Sequence, residues 1–140
     1  EAGYMNAAKS MMAVADEIRA GIEAIPELVL IGHGTFIISF RSDEIDLFHV
    51  NDFMKTKAWR FNVLQLPPAL HFCVTMPQVQ APDVAGHLIT DLKTGVEYAQ
   101  SKTGTVAETT ALYGMAGSAE TNQIMSELLS AYLDHFYTVY

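Results

Sequence analysis

The chain has 140 residues, the size of one domain with a core of its own. Sixteen acidic residues against eight Lys and Arg give a net charge of −8, with no basic cluster to track a phosphate backbone, which excludes nucleic-acid binding. Half of the residues are hydrophobic and only 17% charged, a balance that predicts a partner over part of the surface; a single Cys excludes an internal disulfide and fits a reducing, cytoplasmic setting.

The chain opens E-A-G-Y-M without an initiator Met and already inside a helical pattern, as a processed or truncated piece does. No signal peptide is visible, and no apolar run reaches the roughly 20 residues that a membrane span needs. Apolar residues at Tyr4, Ala8, Met11, Val14, Ile18, Ile22 and Ile25 predict an amphipathic helix over 4–25, ended by Pro26. The β-branched and aromatic runs 28–31 and 35–40 are joined by Gly32-His33-Gly34, which reads as a hairpin turn and not as a phosphate loop. Asp46 then caps a helix that carries Leu47, Val50, Met54 and Ala58 on one side.

The stretch 58–76 organises the rest. It holds the only Trp, Trp59, and the only Cys, Cys73. Residues 60–65 read as a strand, and the Pro67-Pro68 pair must lie in a connection because neither residue can donate to a ladder. Over 70–76 the sequence alternates, with Leu70, Phe72, Val74 and Met76 predicted to face the helices and His71, Cys73 and Thr75 to face away. Residues 77–83 read as a loop with Pro82 in the first turn of the next helix. That helix carries Val84, Leu88, Leu92, Val96 and Ala99 and runs to about Gln100. Residues 101–118 are rich in Ser, Thr, Gly and Ala and read as one long irregular segment, of the kind that is functional or mobile. Ser118 is placed to cap a last helix whose stripe is Met125, Leu128, Tyr132, Leu133, Phe136 and Tyr140. The predicted fold is α+β: residues 1–140 form a single domain, a small antiparallel or mixed sheet of about four strands covered by helices.

Catalytic signals are few. His71 and Cys73, two apart on a strand, point the same way, but two ligands make no zinc site. His33 reads as a turn residue, and His49, His87 and His135 as structural residues on helices. Neither a Gly-x-Ser-x-Gly elbow nor a P-loop occurs.

Three stretches carry a resemblance. A-W-R-F-N-V-L-Q-L-P-P-A-L-H-F-C-V-T, from Ala58 to Thr75, is similar to the C-terminal region of sphingosine-1-phosphate lyases, pyridoxal-phosphate enzymes related to group II amino-acid decarboxylases. Ala111-Leu112-Tyr113-Gly114-Met115-Ala116 resembles that family's Y-G-M-A segment, and Gly3-Tyr4 followed by Lys9 resembles the start of its small domain. The resemblance implies the C-terminal small domain of a fold-type I enzyme. It implies a homodimer that cleaves the C2–C3 bond of phosphorylated long-chain bases to a fatty aldehyde and phosphoethanolamine.

It also implies that the cofactor-binding large domain lies elsewhere. The family's Schiff-base Lys follows a His, and none of Lys9, Lys55, Lys57, Lys93 and Lys102 does. No catalytic, cofactor-binding or metal-binding residue is therefore expected in this segment, which needs the remainder of the same enzyme as its partner. Tyr113 is the one expected substrate-binding residue: it matches the family's Tyr and sits beside Gly114 among small residues. Two other readings remain open from the sequence, a related amino-acid decarboxylase and a ferredoxin-like ligand-binding or regulatory module.

Overall fold

A computed structural model describes the backbone of residues 2–113 and 119–137 and the side chains of residues 3–110 and 126–137. The first helix, α1 (Ala2–Glu23), ends just before Pro26 and buries Ala15, Ile18 and Ile22 in its second half. Its first turn is uncovered: Tyr4, which the periodicity assigns to the buried face, is 87% exposed. The hairpin follows as β1 (Val29–Ile31) and β2 (Ile37–Arg41). Arg19 on α1 ties down the loop between them by donating to the carbonyls of Gly34 and Thr35.

Helix α2 (Leu47–Thr56) starts where Asp46 predicts, its carboxylate accepting the Phe48 N–H at 2.9 Å. A second hairpin is built from β3 (Asn62–Gln65) and β4 (Pro68–Cys73), with the turn at Leu66 and Pro67. Pro68 opens β4, a position where its missing donor does no harm. The four strands pair in the order β1-β2-β4-β3, antiparallel throughout. In the central pair Ile38 faces Phe72 and Phe40 faces Leu70, and all four point inward against the helices.

Residues 77–83 are not all loop. A short helix, α3 (Met76–Gln80), starts there with Pro77 in its first turn, and the Gln78 side chain accepts the Thr75 N–H at 3.0 Å. Asp83 then precedes α4 (Val84–Ser101), which packs against both α1 and α2 and buries Leu88, Leu92, Val96 and Ala99. The contact with α1 is close: a Cβ on Gly21 would fall 2.4 Å from Cγ1 of Ile89, so only glycine admits that approach. Trp59 donates to Asp91 of α4 at 2.7 Å and meets Phe72 edge-on, which fastens the central stretch to that helix.

Within 101–118 a further short helix, α5 (Glu108–Tyr113), replaces part of the expected irregular segment. The last helix is α6 (Ala119–Tyr137). The predicted cap Ser118 and the stripe members Met125 and Tyr140 lie outside the described side chains. The architecture is one four-stranded antiparallel sheet with its inner face under α1, α2 and α4, the α+β fold expected. Among the described residues no helix is long and apolar enough to cross a membrane.

Candidate functional site

Of the residues singled out by the sequence, His71 and Cys73 are half-buried on the sheet face away from the helices, opposite Ser39 and Ile37. Among the described residues no group of three or more His, Cys, Asp or Glu is arranged to hold a metal. His33 is exposed in its turn, and His87 and His135 are exposed on α4 and α6. His49 differs. It is 5% exposed, on α2, where the sequence signals only a polar helix position.

His49 lies in the wall of a cavity of about 370 Å³ between α2, α4 and the segment leading into α5. Its Nε2 is 3.1 Å from the Thr105 carbonyl and 3.2 Å from the Thr105 hydroxyl, whose own proton goes to the Lys102 carbonyl. Both partners therefore accept, which assigns the ring proton to Nε2. Tyr98 stands edge-on to the His49 ring and continues the wall to Phe53, its ring centroid 5.6 Å away. Lys102 and Lys57 lay their ammonium groups over the Tyr98 and Phe53 rings at 5.3 and 5.7 Å.

One turn further along α2, Asn51, Asp52 and Lys55 converge on Thr109. Asn51 donates to the Thr109 hydroxyl at 3.0 Å and Lys55 at 2.7 Å, while that hydroxyl donates to Asp52. One proton given and two lone pairs filled exhaust what a hydroxyl can do. Asp52 also accepts the Thr109 N–H at 3.1 Å, so a carboxylate on α2 caps the N-terminus of α5. Burial pushes the Asp52 carboxyl upward, but the bonds from the Thr109 hydroxyl and N–H, Lys55 and the Glu108 N–H outweigh it and hold it below its ordinary value. Two buried polar atoms beside this cluster, Oδ1 of Asn51 and Oγ1 of Thr110, have no partner among the described residues.

The arrangement holds a backbone in place. Apart from Oδ1 of Asn51 and Oγ1 of Thr110, its polar groups are spent on one another, and what they hold is α5, whose last residue is Tyr113. The Tyr113 side chain and residues 114–118 lie outside the described residues. Sequence reasoning named His49 as a structural helix residue but missed Asn51, Asp52 and Thr109, because the partners in these pairs are more than 50 residues apart in the chain. No local pattern records such a pairing. Lys9, Lys55, Lys57 and Lys93 are exposed, and Lys102 lies partly exposed over Tyr98.

No family model matches the chain. Among curated proteins it is similar to the sphingosine-1-phosphate lyase of Oryza sativa subsp. japonica, with 37% identity over 134 residues, covering 94% of this chain and 24% of that protein. The Arabidopsis thaliana lyase is 32% identical over 98% of this chain, and the Mus musculus sphingosine-1-phosphate lyase 1 is 30% identical over 99%. A solved Burkholderia pseudomallei sphingosine-1-phosphate lyase superposes with a TM-score of 0.69 at 38% identity, covering 93% of this chain and 26% of that one. A C-DES mutant with glycine linked to its PLP cofactor superposes at 0.51 over 60% of this chain with 11% identity, a likeness of fold alone. The chain thus spans about a quarter of the length of the curated relatives it matches.

Proposed function

We infer that, across the quarter of those enzymes that it spans, the chain belongs to the sphingosine-1-phosphate lyase family and serves as the small domain of a pyridoxal-phosphate-dependent carbon–carbon lyase. The reaction of the whole enzyme is cleavage of the C2–C3 bond of a phosphorylated sphingoid base, releasing a fatty aldehyde and phosphoethanolamine. The observation that carries this reading is the similarity at 30–37% identity along 94–99% of the chain. A homodimer and a cytoplasmic location belong to the same proposal. The free thiol of Cys73 fits a reducing compartment.

The residues described here do not fit the cofactor. A Schiff-base Lys needs a desolvated place against the carbonyl it attacks, with an acid facing the pyridinium nitrogen. None of the five Lys has both, so no catalytic step is derived from this chain. The cofactor belongs to the remainder of the enzyme. What this segment contributes is Tyr113, carried at the end of an α5 that α2 clamps by three side chains, Asn51, Asp52 and Lys55. A phenol there suits a hydrogen bond to the substrate phosphate or assistance in proton transfer.

The test is Tyr113→Phe in the complete enzyme, which removes the hydroxyl and keeps the ring. We expect kcat/KM to fall about tenfold or more, equivalent to ~1.4 kcal/mol of transition-state stabilisation. Unchanged kinetics with a lowered Tm return Tyr113 to a structural role. Nothing favours the decarboxylase reading over the lyase. The ferredoxin-like reading fails on connectivity, since among the described residues two hairpins flank α2 in place of a βαββαβ order.

A further inference from the structure

Helix α6 presents an apolar half that nothing described here covers. Every described side chain from residue 126 to 137 is exposed. Leu128, Leu129, Tyr132, Leu133, Phe136 and Tyr137 are between 44% and 80% exposed. At 100° per residue these six fall within one half of the helix circumference, while Glu127, Ser130, Asp134 and His135 fall in the other. Tyr132 and Phe136 stack one turn apart with ring centroids 4.8 Å apart. The contrast is α4, a helix of similar length that buries its stripe completely. A helix gains most of its stability from packing such a face, so α6 lacks the contact that its sequence is built for.

We propose that the apolar half of α6 docks onto the part of the lyase that lies outside this chain. The proposal rests on the small-domain reading for its choice of occupant. The relatives are about four times as long as the segment matched here, so most of their mass is available to cover it. A second copy of α6 is a poorer occupant. Pairing α6 with itself leaves Tyr4, Met5 and Met12 of α1 still exposed. A membrane surface is poorer still. An interfacial helix carries Lys and Arg on its polar face, and α6 has neither, only Glu and Asp beside His135.

The experiment uses the complete enzyme with Leu129→Cys, Leu133→Cys or Phe136→Cys on the apolar half and Ser130→Cys on the polar half. Maleimide labelling is read peptide by peptide by mass spectrometry. The expected result is labelling of the three apolar-half positions at least about tenfold slower than Ser130→Cys, independent of enzyme concentration. Equal rates overturn the proposal, as does a slow rate that recovers on dilution, which assigns the face to a second copy. Protection that needs added phosphatidylcholine vesicles overturns it in favour of a membrane. Hydrogen exchange over residues 126–137 of the unsubstituted enzyme gives the same reading without a mutation. Slow exchange supports docking, and exchange at unprotected rates overturns it. Pyridoxal-phosphate absorbance and aldehyde release are read on the same samples. A protected α6 in a protein that shows neither overturns the lyase reading and leaves the docking intact.

Discussion

Phe72 marks the inner face of the sheet. It is buried against Trp59 and Phe61, with ring centroids 6.1 and 5.5 Å away, while its neighbour Cys73 is half-buried on the opposite face. Truncating Phe72 removes the transfer energy of a ring and leaves a cavity walled by two other rings that cannot collapse into it. Phe72→Ala should therefore cost about 3–5 kcal/mol in denaturant unfolding. Cys73→Ala should cost under ~1 kcal/mol, as a substitution outside the core does. Equal costs would mean that the sheet packs on both faces. This assignment was readable in advance for Leu70, Phe72 and Val74, because alternation along a strand sends successive side chains to opposite faces; it failed at Met76, where α3 has already begun.

At the scale of elements, α5 depends on a carboxylate from another helix. Asp52 is 12% exposed and its pKa is depressed in the fold, so its contribution is present above the ordinary carboxylate range and is lost as pH falls through the folded value. Asp52→Asn, which keeps an accepting oxygen and removes the charge, should destabilise by about 0.3–2 kcal/mol at pH 7, the worth of a carboxylate at a helix N-terminus. The gap to the unsubstituted protein should narrow as urea unfolding is repeated below about pH 4. A gap that does not change with pH would show that the charge contributes nothing. This dependence on a distant cap also explains why α5 escaped the sequence reading. Thr109 and Thr110 are poor helix formers, and the carboxylate that compensates sits 57 residues away. The short α3 is a different case: its Thr75-x-x-Gln78 capping box was in plain view, but five residues carry too little periodicity to register. The long helices and both hairpins were legible because their signals repeat within themselves. Tyr4 misled for the same reason, since periodicity marks an apolar face and says nothing of what covers it.

At the scale of the molecule, the exposed apolar residues are spread over α1, α6 and the outer sheet positions Val29, Ile37 and Leu64. Apolar residues exposed on several faces support the proposed place of this segment within a larger enzyme. For the complete enzyme, sedimentation at micromolar concentration should give a homodimer. An active monomer would remove the dimer from the proposed function and leave the docking of α6 to be judged on its own test. The order of strands bears on how such an assembly stays specific. The long strands β2 and β4 occupy the centre, and the edges are β1 with three residues and β3 with four. An edge that short offers too few free backbone groups to recruit a stray strand, so the fold resists the open-ended sheet growth that leads to aggregates. Side-chain surfaces, not backbone ladders, are left as the means by which this chain recognises another, and those can be made selective.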